Sequence, residues 1–127
     1  MNRIFLSPPH VGVDELRFVQ EAFASNFIAP LGPMVDAFEK EFAEYVGITN
    51  CLAVSSGTAA MHLALRGLTS GFGDEVFIST LTFIGSVSPT IFLNASPVFL
   101  DSCLDGWNMD PELLENVLRR CAEVEKL

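Results

Sequence analysis

The stretch from Cys51 to Leu65, Cys-Leu-Ala-Val-Ser55-Ser56-Gly57-Thr58-Ala59-Ala-Met-His62-Leu-Ala-Leu65, constrains the fold more than any other. A short apolar run reaches a turn of hydroxyl residues and one glycine, then passes directly into helical spacing. The turn therefore stands where a strand hands over to a helix N-terminus. The first N–H groups of a helix have no acceptor within it, and the aligned peptide dipoles place partial positive charge there, so an anion is stabilised without a basic side chain. Gly57 leaves room for close approach, and the hydroxyls of Ser56 and Thr58 can add hydrogen bonds. The same residues also make an ordinary helix cap, the commoner use of such a turn. They match neither a Walker loop nor the GxGxxG fingerprint.

Any anion held here must rely on backbone and hydroxyl groups, because the chain is acidic: seven Lys and Arg stand against sixteen Asp and Glu, a formal net charge of −9. That balance argues against nucleic acid and against an anionic membrane surface as partners, since both need a basic footprint. No stretch approaches the ~20 apolar residues of a membrane-spanning helix, and the N-terminus lacks the basic-then-apolar order of a signal peptide, which points to the cytoplasm. With 127 residues the chain is long enough for about one domain. Half of it is hydrophobic and eleven residues are Phe, more apolar surface than a small domain hides, so further chain or a partner subunit is expected to cover the excess. Cys51, Cys103 and Cys121 form no CxxC pair and have no spaced histidines, so no metal site is expected and the thiols are assigned no chemistry.

The N-terminal Met1 to His10 reads as an extended lead, with Pro8 and Pro9 excluding helix. Leu16, Val19 and Phe23 recur at helical spacing and predict a first helix from Val13 to about Ser25. Asn26-Phe27-Ile28-Ala29-Pro30-Leu31-Gly32 then forms an apolar loop, which wants a surface to lie on: its own core or a site. Pro33 suits a first helical turn, and Val35, Phe38, Phe42 and Tyr45 mark one face of a second helix ending at Val46 before Gly47. Asn50 to Val54 reads as a buried strand, and Thr58 to Leu68 as the third helix.

A turn at Gly71 to Glu75 leads to a second strand, Val76 to Ile78. A helix-compatible run from Phe83 to Leu93 follows, with Thr82 as its expected N-cap and Gly85 and Pro89 weakening it. Pro97 to Leu100 is a third strand ending at Asp101. Asn108-Met-Asp110-Pro111 opens the last helix with a cap and a proline. Alternating strands and helices predict an open α/β sheet, whose ligands lie outside the carboxyl ends of the strands. The three strand exits, Ser55 to Thr58, Ser79 to Phe83 and Asp101, are therefore expected at one edge.

These residues resemble the DegT/DnrJ/EryC1/StrS family of sugar aminotransferases, which use pyridoxal 5′-phosphate. The likeness rests on Gly32-Pro33, Phe38-Glu39, Tyr45-Val46-Gly47, Ser56-Gly57-Thr58-Ala-Ala with His62-Leu-Ala-Leu65, Gly73-Asp74-Glu75-Val76, Thr82-Phe83, and Pro97-Val-Phe with Asp101 and Asn108-Met-Asp110-Pro111. Within the group, Ser7-Pro8-Pro9-His10 and Ser25 to Gly32 look most like the UDP-N-acetylbacillosamine-type transaminases, which aminate C4 of a UDP-linked 4-keto-6-deoxy sugar with glutamate as amino donor.

The resemblance implies an α/β fold, the N-terminal part of a fold-type-I, aspartate-aminotransferase-like large domain. It would comprise an incomplete, mostly parallel sheet with flanking helices over residues 1–127, and homodimers sharing their sites. Carried over to matching positions, Gly57-Thr58-Ala59 is the cradle of the cofactor phosphate. Phe83, which on its own reads as a core aromatic, corresponds to the ring that stacks on the pyridine. Asn26, Phe27, Ile28 and Ala29 correspond to a segment near the nucleotide sugar, which Gly57 also faces. His62 corresponds to a packing residue, and Asp101 and Asp110 are given structural roles.

The chain departs from the family in one respect. The chemistry needs a lysine to hold the cofactor and a carboxylate at the pyridine nitrogen, and in the family both lie beyond the point that corresponds to Leu127. The lysines here are Lys40, on the exposed side of helix two, and Lys126; neither is assigned the chemistry. A truncated chain, inactive by itself, with no covalently held cofactor and a tendency to self-associate, is the expectation. Two alternatives stand beside it: a PLP-dependent sugar dehydratase of the same family, which has a histidine in place of the lysine, and a non-catalytic, self-associating remnant.

Overall fold

The computed structural model describes Arg3 and residues 8–124. Most of the extended lead and Lys126 lie outside the described residues. The chain divides into two compact units, Met1–Ala53 and Val54–Leu127.

The first unit is helical. Helix α1 spans Asp14–Ser25, with Asp14 and Glu15 at its positive end, and stops at Asn26, whose left-handed backbone (φ 60°) lets its N–H bond the Phe23 carbonyl. Helix α2 spans Pro33–Val46, the range the sequence predicts. It is entered through Gly32, at φ 142°, and left through Gly47, at φ 74°. Gly32 is doubly constrained, because a β-carbon there would also stand 3.0 Å from Cδ1 of Phe27. The loop Asn26 to Gly32 is thus partly closed on itself, although Phe27 and Ile28 remain 53% and 61% exposed.

Asn50 to Val54 does not form the expected strand. A strand exists only through a ladder, and none is offered to Asn50–Ala53 among the described residues. Instead the Ala53 N–H donates to the Glu39 carboxylate at 2.7 Å.

The second unit carries the sheet. Helix α3 spans Gly57–Gly67, one residue earlier at each end than its sequence pattern suggests, because Ser56 rather than Gly57 is the cap. Strands β1, Glu75–Ser79, and β2, Ser96–Leu100, pair in parallel with Glu75 opposite Ser96 and Ser79 opposite Leu100. The expected three-strand sheet is two-stranded among the described residues.

Between the strands the sequence predicts one helix from Phe83 to Leu93; the structure has a 3₁₀ turn, Ile84–Ser86, and then a short helix α4, Ser88–Phe92, with Pro89 in its first turn. Pro89 has no N–H to continue a longer helix, and glycine at position 85 weakens it further. Thr82 is not the N-cap: its hydroxyl donates to Ser86 Oγ at 3.0 Å. Ile78, Val87, Pro89, Thr90, Ala95 and Leu100 are buried and form the core of this unit; α4 packs against β2, and α3 against α4 and the 3₁₀ turn. His62 packs against Phe92 with ring centroids 5.8 Å apart, the packing role expected of it. Helix α5, Pro111–Val124, is capped by Asp110, whose Oδ1 accepts the N–H groups of Glu112 and Leu113 at 2.8 and 3.2 Å.

No described helix is long and apolar enough to cross a membrane. Among the described residues no cluster of His, Cys, Asp or Glu could hold a metal ion, and the three cysteines are free thiols.

Candidate functional site

The helix-entry turn is built as a cap with donors to spare. Ser56 has extended backbone (φ −166°, ψ 160°), and its hydroxyl accepts the Ala59 N–H at 3.1 Å, while its carbonyl accepts the Ala60 N–H at 3.0 Å. Ser56 therefore caps the helix and so consumes the Ala59 amide, leaving the amides of Gly57 and Thr58 without a protein acceptor among the described residues. The family resemblance places Ala59 in the cradle. The cap takes the Ala59 amide, and the unpaired amides are those of Gly57 and Thr58.

Gly57 is not glycine for any reason internal to the unit. Its φ lies outside the left-handed region, and a β-carbon there would meet nothing within 4 Å. The space it leaves is open and adjoins two free amides. Thr58 is half-buried, and its hydroxyl points at the 3₁₀ turn: a β-carbon on Gly85 would lie 2.5 Å from Thr58 Oγ1 and 3.3 Å from Cδ1 of Phe83. Thr58 and Phe83, 25 residues apart in sequence, therefore flank the same point. Gly85 marks where they meet, a role its helix-weakening character in the sequence did not reveal.

Phe83 is 81% exposed, so it is not the core aromatic that its residue type suggests. It lies just past the end of β1, with the amide of Ser86 donating to its carbonyl at 2.8 Å. Beside it the two strand exits are tied together. The Thr80 hydroxyl donates to Asp101 Oδ1 at 3.1 Å, the Ser102 N–H reaches the same oxygen at 2.8 Å, and Ser79 and Ser102 hydroxyls lie 3.2 Å apart. Gly57, Thr58, Ala59 and Phe83 all lie in the second unit, with Thr58 and Phe83 both beside Gly85. Asn26, Phe27, Ile28 and Ala29 belong to the first, all four exposed, with Asn26 serving as the cap of α1.

A cradle of this kind suits a phosphate: two free amides at a helix N-terminus, a hydroxyl beside them, and a position where a side chain would fill the approach. An exposed aromatic face close to it suits a flat ring. A ligand carrying both groups fits the arrangement.

The family model described as the DegT/DnrJ/EryC1/StrS aminotransferase family matches residues 9–123. The chain is 51% identical over 116 residues to EpsN of Bacillus subtilis (strain 168), whose naming as a pyridoxal phosphate-dependent aminotransferase is itself provisional; the match covers 91% of this chain and 30% of that protein. It is 34% identical to the GDP-perosamine synthase of Caulobacter vibrioides, over 91% of this chain and 31% of that one. Among solved structures, a DegT DnrJ EryC1 StrS aminotransferase from Brucella abortus superposes with a TM-score of 0.77 at 31% identity, over 90% of this chain and 31% of that chain. The chain thus spans about a third of the length of these relatives.

Proposed function

The chain belongs to the DegT/DnrJ/EryC1/StrS aminotransferase family, and we propose that its residues supply the phosphate cradle and ring face of a nucleotide-sugar aminotransferase. The reaction is amino transfer from glutamate to the keto carbon of a UDP-linked 4-keto-6-deoxy sugar. The observation that carries this reading is the pair of unpaired amides at Gly57 and Thr58 beside a position where a β-carbon would occupy open space.

Pyridoxal phosphate, when bound, supplies an electron sink for breaking a C–H bond next to the transferred nitrogen. The chain's own residues act around it. The Gly57 and Thr58 amides and the Thr58 hydroxyl hold the phosphate, and Ser56 keeps the helix end rigid by taking the Ala59 amide. Phe83 presents its face to the ring and shields that side from water. In the same reading residues 1–127 form the N-terminal part of the large domain, Asn26 to Ala29 touch the nucleotide sugar, and a second copy completes the site. The chain's two lysines are Lys40, exposed in the first unit, and Lys126. We assign neither the cofactor-holding role, so these residues by themselves carry no turnover.

The likeness to a GDP-perosamine synthase supports a nucleotide-linked sugar; the UDP nucleotide is the finer reading. The test joins these 127 residues to the corresponding remainder of EpsN and offers glutamate with UDP- and GDP-linked 4-keto-6-deoxy sugars in parallel. Amination of the UDP sugar, with none by the 127 residues alone, is expected. Preference for the GDP sugar overturns the nucleotide assignment, and a folded chimera that aminates neither overturns the function.

A further inference from the structure

Phe83 is 81% exposed, so packing does not fix where its ring stands. The backbone on either side of it, which sets where the ring starts from, is held by hydrogen bonds. On the C-terminal side, the Ser86 N–H donates to the Phe83 carbonyl at 2.8 Å, and the Thr82 hydroxyl, from the residue before Phe83, donates across it to Ser86 Oγ at 3.0 Å. On the N-terminal side, the chain leaving β1 is tied to the chain leaving β2. The Thr80 N–H donates to the Leu100 carbonyl at 2.9 Å, and the Thr80 hydroxyl to Asp101 Oδ1 at 3.1 Å. Asp101 is itself fixed, because the same Oδ1 takes the Ser102 N–H at 2.8 Å and its carbonyl takes the Asp110 N–H at 2.9 Å, at the cap of α5. The side-chain bond between Thr80 and Asp101 is thus the last tie between the two strand exits before Phe83, and it reaches 21 residues along the chain.

We propose that Thr80 and Asp101 are positioning residues, a clasp across the carboxyl ends of β1 and β2 that holds the Phe83 ring at the distance from the cradle that a planar phosphorylated ligand needs. Neither touches that ligand. Both act through the course of the chain from Thr80 to Phe83, by fixing the backbone that carries the ring. The inference rests on the reading of Phe83 as a ring face, and the experiment separates the two.

The probe is pyridoxamine 5′-phosphate, which carries the phosphate and the ring but needs no lysine. It is titrated into the full chain while NMR follows the Gly57 and Thr58 amides and the Phe83 ring separately. In the unaltered chain all three shift. Thr80→Val removes the hydroxyl at nearly constant shape on an exposed position, and it is expected to at least halve the Phe83 shift while the Gly57 and Thr58 shifts and the melting temperature stay as they were. Asp101→Asn retains an acceptor oxygen and is expected to restore most of the response that Asp101→Ala loses. A Thr80→Val chain whose Phe83 shift equals that of the unaltered chain overturns the clasp and leaves the cradle standing. Equal loss at all three positions overturns it too, since that is a general structural effect. An unaltered chain in which Phe83 does not respond overturns the ring-face reading, and the clasp with it.

Discussion

The Ser56 hydroxyl and the Ala59 amide, 3.1 Å apart, divide the N-terminus of α3 between two tasks. One donor is spent on holding the helix end together, and the two before it have no acceptor among the described residues. The cap and the candidate site are therefore parts of one device, and substitutions at neighbouring positions should separate stability from binding.

Ser56→Ala removes the cap acceptor. A lost Ser N-cap costs about 0.5–2 kcal/mol, so the thermal unfolding midpoint of the chain should fall while an anion can still approach the Gly57 and Thr58 amides. An unchanged midpoint would show that the cap contributes nothing to the second unit.

Gly57→Val and Thr58→Ala should differ in kind. The first places a branched side chain in the open approach next to both free amides and should abolish detectable phosphate or pyridoxamine phosphate binding. The second deletes one hydroxyl, a hydrogen bond to a charged group of ~1.5–3 kcal/mol, and should weaken binding by about ten- to a hundredfold without abolishing it. Calorimetric titration distinguishes them. Greater loss in Thr58→Ala than in Gly57→Val contradicts the cradle as drawn.

Thr90 is fully buried, and its hydroxyl has no hydrogen-bond partner among the described residues. A buried unsatisfied hydroxyl carries a desolvation cost of about 1–3 kcal/mol, and valine has nearly the same shape. Thr90→Val is thus expected to raise the unfolding free energy by about 1 kcal/mol, measured by denaturant titration. A clear loss of stability would mean that the hydroxyl has a partner in solution.

Both units leave large apolar side chains in water. Phe23 is 66% exposed and Tyr45 89% in the first unit, Phe72 95% and Leu104 85% in the second. Strands β1 and β2 also each have an edge with no neighbour among the described residues. Light scattering on the isolated chain should show association at about tens of micromolar, where such surfaces usually find one another. A sharp monomer peak at that concentration argues against it.

The sequence by itself determined the elements that close their own hydrogen bonds. Helix α2 begins at Pro33 and ends before Gly47 as the residues dictate, and the caps at Ser56 and Asp110 follow from side chains that reach amides two or three positions on. Such interactions span a few residues, so they can be read in a few residues. The turn at Ser56 to Thr58 was legible as a helix entry for the same reason, whereas Phe83 by itself reads as a core aromatic and its exposure was not legible. The remainder depended on partners distant in the chain. Asn50 to Val54 has the composition of a strand but no ladder to join among the described residues, and Phe83 to Leu93 has the pattern of a helix that Gly85 and Pro89 divide into two turns of different kind. Which amide the cap would consume, the convergence of Thr58 and Phe83 on Gly85, and the bond from Thr80 to Asp101 were decided only by tertiary structure. The parallel register that places Ser79 beside Leu100 brings the two strand exits together, and no local pattern encodes a register between segments 21 residues apart.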